Sequence, residues 1–256
     1  MKEIKGILLA AALLLLTACM GPDRSHRLVV IDAGHGGHDC GAQCGGRQEK
    51  ELVLQIVKKL NKAFKREGYR VYMTRGSDRF LTLGERTRIA DRKDADVFIS
   101  IHANAIANKS RFEAVEGIET YFLQKTRDTR SQRIAARENA AVLQGADALS
   151  KDVIIDSVLN GPKIVESNKL AIDVQRHIMK RLKSRYHDAQ NGGVRPAPFY
   201  VLVGASRPSI LVEVGYITNT KERNRLFTED YQERIAKGIV EGVNRYLDNR
   251  EKELGI

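Results

Sequence analysis

Tryptophan is absent from the 256 residues, and aromatic residues together make up only 6%. A chain without indole cannot grip a sugar ring or a nucleobase by stacking on one. Cysteine is nearly as scarce, with Cys19, Cys40 and Cys44 only. The last two lie in "CGAQC". An oxidising compartment would permit a disulfide between them, but two cysteines do not make a zinc site. Acidic residues are outnumbered by basic ones, 32 against 43, for a net charge of +11. No paired-cysteine finger and no aromatic-rich sheet signature accompanies that charge, so nucleic acid is not the expected partner. There is no internal repeat and no low-complexity tract. With 42% hydrophobic and 29% charged residues, the composition is that of a folded globular chain with one substantial core.

The first residues read as an address rather than as part of that core. Lys2 and Lys5 precede an apolar run from Ile7 to Leu16, followed by small residues before Cys19. The run is shorter than the roughly 20 residues of a membrane span, and its basic start and small-residue end fit a secretory signal peptide. "LTAC" (Leu16–Cys19) resembles a bacterial lipobox, so residues 1–18 are expected to be removed and Cys19 lipidated, tethering the mature chain to a membrane. Removing residues 1–18 takes away Lys2, Glu3 and Lys5 and leaves a charge of +10. For an exported protein, an anionic wall polymer or anionic headgroups suit this excess better than nucleic acid; simple solubility accounts for it as well.

After a polar linker at 19–27, strand-like and helix-like segments alternate over 28–250. "LVVID", "RVYMT", "DVFISIHA", "GIETYFL", "FYVLVG" and "SILVEVG" read as strands, and the apolar spacing of Leu52, Ile56, Leu60 and Phe64 reads as a helix face. Further helices are expected at "LGERTRIADRKDA", "RSQRIAARENAAVL", "ESNKLAIDVQRHIMKRLKSRY" and from about Glu229 to Lys252. The fold class is therefore α/β: a single domain with a mainly parallel, roughly six-stranded sheet flanked by helices on both faces. Functional groups in such folds collect beyond the carboxyl ends of the strands.

Three strand ends deliver such groups. His35 follows the first strand, His102 closes "VFISIH", and Glu213 closes "SILVE". An acid ending a buried apolar run is costly unless it is paired or bound to a metal. Two histidines and an acid on one edge make a catalytic zinc site plausible, with a position left for water. His38 is a rival ligand in the same loop. Glu49 and Glu51 both open the first helix, where acids also suit the helix dipole, and spacing does not choose between them.

The ordered pieces "VVIDAGHGGHDCGA", "GGRQEKELVL", "SDRFLTLGERTRIAD", "FISIHANA", "GIETYFL", "RIAARENA", "ESNKLA" and "RPSILVEVGYITN" resemble the zinc-dependent N-acetylmuramoyl-L-alanine amidases, the peptidoglycan amidases of the AmiA/AmiB/AmiC type. The resemblance spans Leu28 to about Leu247. It implies Zn²⁺ on His35, Glu49 and His102, with Glu213 as the catalytic glutamate and His38 as a bystander. It also implies hydrolysis of the amide between N-acetylmuramic acid and L-alanine in peptidoglycan, in wall remodelling or daughter-cell separation; with the lipobox-like "LTAC", the expected location is that of a periplasmic, membrane-anchored lipoprotein. Arg75, Arg86, Asn104 and Arg195 are candidates for substrate contact, with structural ion pairing put ahead of that role for the arginines. Where the family has Asp-Pro-Gly-Ala, this chain has "DCGA", with Cys40 in place of a loop-stiffening proline. The polar segment 125–165 falls where members involved in cell separation carry an inhibitory helix displaced by an activator protein. "DVIIDSVLNG" supplies an apolar stripe for that role or for the core. The alternatives are a zinc peptidase or carboxypeptidase acting on the peptide stem, and a catalytically silent wall-binding lipoprotein.

Overall fold

The computed structural model describes residues 22–140, 162–203 and 205–255. The expected signal segment, Cys19 and "DVIIDSVLNG" lie outside the described residues. In chain order the strands are β1 (Leu28–Ala33), the hairpin arms β2 (Gln43–Cys44) and β3 (Arg47–Gln48), β4 (Arg70–Met73), β5 (Val97–Asn104), β6 (Ile118–Leu123), β7 (Asn191–Ala197) and β8 (Ser209–Tyr216). The helices are α1 (Glu49–Arg66), α2 (Leu83–Arg92), α3 (Thr129–Asn139), α4 (Pro162–Lys183), α5 (Tyr200–Val203), α6 (Thr220–Leu226) and α7 (Glu229–Leu254).

Six strands make one sheet in the order β4-β1-β5-β8-β6-β7. β1 pairs in parallel with β4 and β5, and β5 with β8. β6 runs antiparallel to β8 and carries β7 parallel to itself. Every residue of β1, β5 and β8 is buried, as expected of central strands covered on both faces. On one face Val29, Ile31, Ile99 and Val212 pack with α1, α4 and α7; on the other, Val30, Phe98 and Leu211 pack with α2, α3 and α5. Because β6 is reversed, its start lies beside the ends of β5 and β8: His102 is in register with Glu213, and Glu213 with Glu119. One edge of the sheet thus collects the ionisable groups.

One expected strand is a helix. Within "FYVLVG", Tyr200–Val203 form the short α5, where Asn139 receives the Tyr200 N–H through Oδ1 and donates to the Pro198 carbonyl, both at 2.9 Å. A short apolar run carries no periodicity that separates strand from buried helix, and here Phe199, Val201 and Leu202 are buried as one turn against the sheet. The sixth strand is instead β7, "NGGVRPA". Its glycines and Pro196 disguise it, and they are tolerated because β7 is an edge. Among the described residues, no helix is long and apolar enough to cross a membrane.

The close crossing of α4 and α7 depends on two glycines. A Cβ on Gly242 would lie 2.4 Å from the Val174 Cα, and one on Gly238 would lie 2.6 Å from the Ile178 Cα. Helix propensity alone favours alanine at such sites by about 1 kcal/mol. Overpacking reverses the sign, so Gly238→Ala and Gly242→Ala are each expected to destabilise by about 1–3 kcal/mol in chemical denaturation. A gain in stability would mean that the helices are free to separate.

Candidate metal centre

The loop after β1 is held from below by two buried guanidinium groups. Asp32 is fully buried and accepts from Thr74 Oγ1 (2.5 Å), Ser100 Oγ (2.7 Å) and Arg86 Nη1 (2.8 Å). Burial opposes its charge, but Arg86 and the hydroxyls outweigh that and lower its pKa. Arg86 also donates to the carbonyls of Ala33 (2.5 Å) and His35 (2.8 Å), while Arg75 donates to those of Ala33 (2.9 Å), Gly34 (2.7 Å) and Lys50 (2.9 Å). This clamp holds His35 in the left-handed region at φ 57°, a conformation that costs a non-glycine residue roughly 1–3 kcal/mol. Gly34 allows the loop to pass over the second histidine, since a Cβ there would lie 2.4 Å from the His102 ring.

Above the clamp, four side chains converge. His35 Nε2 lies 3.1 Å from Glu49 Oε1 and 3.2 Å from Glu138 Oε2; His102 Nδ1 lies 3.3 Å and 2.9 Å from the same two oxygens. One nitrogen or oxygen from each of the four lies within 4.8 Å of all the others, an arrangement that could hold a metal ion. Several of these atoms, namely His35 Nε2, His102 Nδ1 and Glu138 Oε2, are buried without a properly oriented hydrogen bond. Buried polar groups are normally satisfied, so donors that point together yet bond to nothing fit a cation between them. Two imidazoles and carboxylates form a donor set suited to zinc.

The surroundings orient each donor. Asp39 Oδ2 meets His35 Nδ1 at 2.9 Å, which directs Nε2 inward. Glu49 accepts the Ala103 N–H on Oε1 and the Ala42 N–H on Oε2, both at 2.8 Å. Glu138 is held by Arg137, which donates to Oε1 from Nε (2.8 Å) and Nη2 (2.6 Å). Despite burial, the charge of His35 lowers Glu49 to about 2, and that of Arg137 holds Glu138 well below the usual range. Burial likewise opposes charge on the histidines, but Glu49 raises His35 well above its ordinary value and Glu138 raises His102 to about 9. Without metal, the surroundings thus favour the charged forms of both histidines and both acids, and a divalent cation taking the place of the protons would meet the same carboxylates.

Glu213 stands beside the cluster. Its carboxyl is completely buried, neither oxygen has a hydrogen-bond partner, and Arg137 Nη2 approaches to 3.6 Å. Burial, reinforced by the charge of Glu138, raises its pKa well above the ordinary value.

Of the residues singled out in the sequence, His35, Glu49, His102 and Glu213 come together. Glu51 is exposed, and His38 stacks on Phe80 with ring centroids 4.2 Å apart. Arg75 and Arg86 are 0% and 2% exposed. Their donors go to groups inside the fold: backbone carbonyls for Arg75, and carbonyls together with Asp32 for Arg86. Asn104 donates to Glu119 (3.1 Å) and accepts from Arg137 (3.1 Å). Arg195 pairs with Glu119 (3.2 Å) and Asp128 (3.5 Å). Cys40 and Cys44 are both free thiols. Cys40 does its work through the backbone, its carbonyl receiving the Lys50 N–H at the start of α1 (3.2 Å). Sequence reasoning missed Glu138. The signal was present: Ile134 and Glu138, one turn apart on α3, are both buried, and an acid on an apolar face needs a charged partner.

A family model described as N-acetylmuramoyl-L-alanine amidase matches residues 29–245. The chain is 34% identical over 225 residues to the N-acetylmuramoyl-L-alanine amidase AmiA of Escherichia coli K12, covering 86% of this chain and 76% of that protein. It is 32% identical to the uncharacterized protein YqiI of Bacillus subtilis, over 87% of this chain and 85% of the other. Among solved structures, an N-acetylmuramoyl-L-alanine amidase from Clostridium difficile 630 superposes with a TM-score of 0.67 at 32% identity, covering 88% and 98% of the two chains. AmiC2 of Nostoc punctiforme gives 0.63 at 32% identity, covering 89% and 99%.

The electrostatics of the centre make its pH dependence testable. His102 is raised from 6.5 to about 9 in the metal-free fold. Its stabilising contribution is thus fully present below pH ~6.5 and lost as pH rises through about 9. Metal binding needs the neutral ring and runs the other way. Between those pH values the denaturation midpoint of the metal-free protein is expected to fall, while the increase in midpoint on adding zinc grows. A metal-free midpoint that stays flat across this window would contradict the charged cluster.

Proposed function

The chain belongs to the N-acetylmuramoyl-L-alanine amidase family, and from that premise we propose that it is a zinc hydrolase acting on peptidoglycan. It is an amide hydrolase. The bond cut is the amide between the lactyl group of N-acetylmuramic acid and L-alanine, the first residue of the peptide stem. The observation that carries the reading is the convergence of His35, Glu49 and His102 next to the unpartnered carboxyl of Glu213.

His35, Glu49 and His102 would hold the ion. Zinc bound there supplies Lewis acidity, lowering the pKa of water and polarising a carbonyl. Glu213 accepts a proton from the water as its oxygen bonds to the carbonyl carbon. It then returns the proton to the nitrogen as the C–N bond breaks. The products are a lactyl carboxylic acid and a peptide with a free amino terminus. Arg137, 3.6 Å from Glu213, favours the carboxylate form that the base has before the first transfer and regains after the second. The substrate polymer lies outside the cytoplasmic membrane, in agreement with the export signal and the lipidation of Cys19 read in the sequence. Wall remodelling or daughter-cell separation is the cellular role we assign.

A second feature, self-inhibition, is favoured by Glu138. Its carboxylate occupies the side of the cluster where an open catalytic zinc site keeps its water. The cavity left over His35, His102 and Glu138 is about 20 Å³, room for about one water molecule. Glu138 must therefore withdraw before a substrate carbonyl can enter, and an activator acting on the region around 125–165 would be the agent.

Glu213→Gln is expected to retain one zinc per chain by elemental analysis and to lose about 10²–10⁴-fold in kcat on muropeptides. Near wild-type turnover would remove the role given to Glu213. Mass analysis of the digest should show intact stem peptides, abolished by a chelator, whereas cuts within the stem would make the protein a stem peptidase. Glu138→Ala is expected to keep its zinc and raise basal turnover about tenfold, if the closed form is favoured by ~1.4 kcal/mol. Loss of both zinc and activity would instead make Glu138 a permanent ligand.

A further inference from the structure

A cavity of about 680 Å³ opens beside the metal centre, and apart from Arg137 its lining has no part in the chemistry described above. Its volume lies within the roughly 300–1,000 Å³ range of ligand sites. Arg111, Arg130, Arg133 and Arg137 line it, and among the described residues no acidic residue does. We propose that this arginine-lined cavity is the subsite for the carboxylates of the peptide stem, so that the protein prefers stems with free carboxylates over amidated ones. The inference rests on the amidase reading and specifies which form of its substrate is taken.

The four guanidinium groups are not equivalent. Arg137 is committed to Glu138, Asn104 and the Ala105 carbonyl. Arg130 is committed to Glu119 at 2.8 Å and the Tyr216 hydroxyl at 2.9 Å. These two form the inner wall, and buried acids already balance them. Arg111 and Arg133 are exposed, and among the described residues neither has an ion pair or a side-chain hydrogen bond. They are two uncompensated cations on the rim of a concave, otherwise apolar surface that includes Ile106, Val115 and Ile134.

Such a wall favours an anion carried on an aliphatic frame. Low-dielectric surroundings strengthen a charge-assisted hydrogen bond, and guanidinium pairs with carboxylate in bidentate fashion. A peptide stem of alanines and acidic residues has this character. The position is also suitable: Arg137 reaches both the cavity and, at 3.6 Å, the Glu213 carboxyl. A stem whose first amide lies at Glu213 would therefore run directly into the cavity. The mouth over His35 and His102, lined by Phe80, Leu81, Thr82 and Leu83, offers among the described residues a single arginine, the buried and fully occupied Arg86. Charge thus tells the substrate which way to lie, with the peptide towards α3 and the glycan towards Phe80.

The test uses the full zinc-loaded chain, Arg111→Ala/Arg133→Ala, and muramoyl-tetrapeptides with stem carboxylates either free or amidated. The wild type is expected to favour the free-acid stem about tenfold in kcat/KM. The double variant should lose that preference through KM, with kcat and the amidated substrate little changed, and added salt should weaken only the wild-type preference. Both side chains are exposed, so the variant should fold; matching circular dichroism checks this. Calorimetric titration of the two free stem peptides repeats the comparison without turnover. Equal cleavage of both stems by the wild type, or calorimetry showing no preference for the acid peptide, overturns the subsite; equal cleavage leaves the amidase reading intact. Selective binding of the acid peptide with neither muramoyl substrate cut overturns the amidase reading and leaves the subsite standing.

Discussion

The buried pair of Asp32 and Arg86 is the interaction on which the rest of the site depends. Asp32 lies next to the end of β1, and its carboxylate gathers Thr74 after β4, Ser100 on β5 and Arg86 on α2. One charge thus joins three neighbouring strands and a helix from the far face. Arg86 then carries the connection upward to the carbonyls of Ala33 and His35. Breaking a buried pair of this kind typically costs about 3–5 kcal/mol, because the remaining charge is stranded. Here the consequence extends beyond stability, since the same guanidinium helps to hold His35 in its left-handed conformation. A loop rich in glycine has no internal reason to keep one shape. The ion pair beneath it supplies that reason.

Above this support, the centre is organised by charge balance. Two imidazoles and two carboxylates exclude water from one another, and each carboxylate keeps its ionised form through a different device. Glu49 relies on backbone N–H groups from the loop and from Ala103; Glu138 relies on the Arg137 fork. Glu213, with neither device, has its proton affinity raised by burial and by the charge of Glu138. Three acids on one edge therefore have different proton affinities because their neighbours differ, which is how a single sheet edge can hold both proposed metal ligands and a proposed proton carrier.

The basic excess, shapeless in the sequence, acquires positions in the fold. Some of it is internal: Arg75 and Arg86 are structural cations under the loop. Some is on the helical surface, paired in exposed contacts such as Arg234 with Asp230 that contribute little. The remainder that matters lies on one side of the centre, where α3 turns Arg130, Arg133 and Arg137 towards a common cavity. The spacing 130, 133, 137 is that of a helix face. Only the location of α3 beside β8 makes it a surface with a use.

Much of this was written in the linear chain. The largely apolar runs of β1, β5 and β8 announce strands buried on both faces. His35, His102 and Glu213 follow those runs, where a polar group must be solvated, paired or bound. The stripe of Leu52, Ile56, Leu60 and Phe64 likewise settles α1. Tertiary structure decided what depends on distant partners. It made "FYVLVG" a helix, because Asn139 caps it, and "NGGVRPA" a strand, because an edge forgives glycine and proline. It separated Glu49 from Glu51, two residues apart, by burying one under the Ala103 N–H and leaving the other in water. It brought Glu138 to the histidines from a helix about a hundred residues after His35, a meeting that no local spacing records. The alternation of apolar and polar residues determines which face each element buries. Which charges meet is decided only when those faces close.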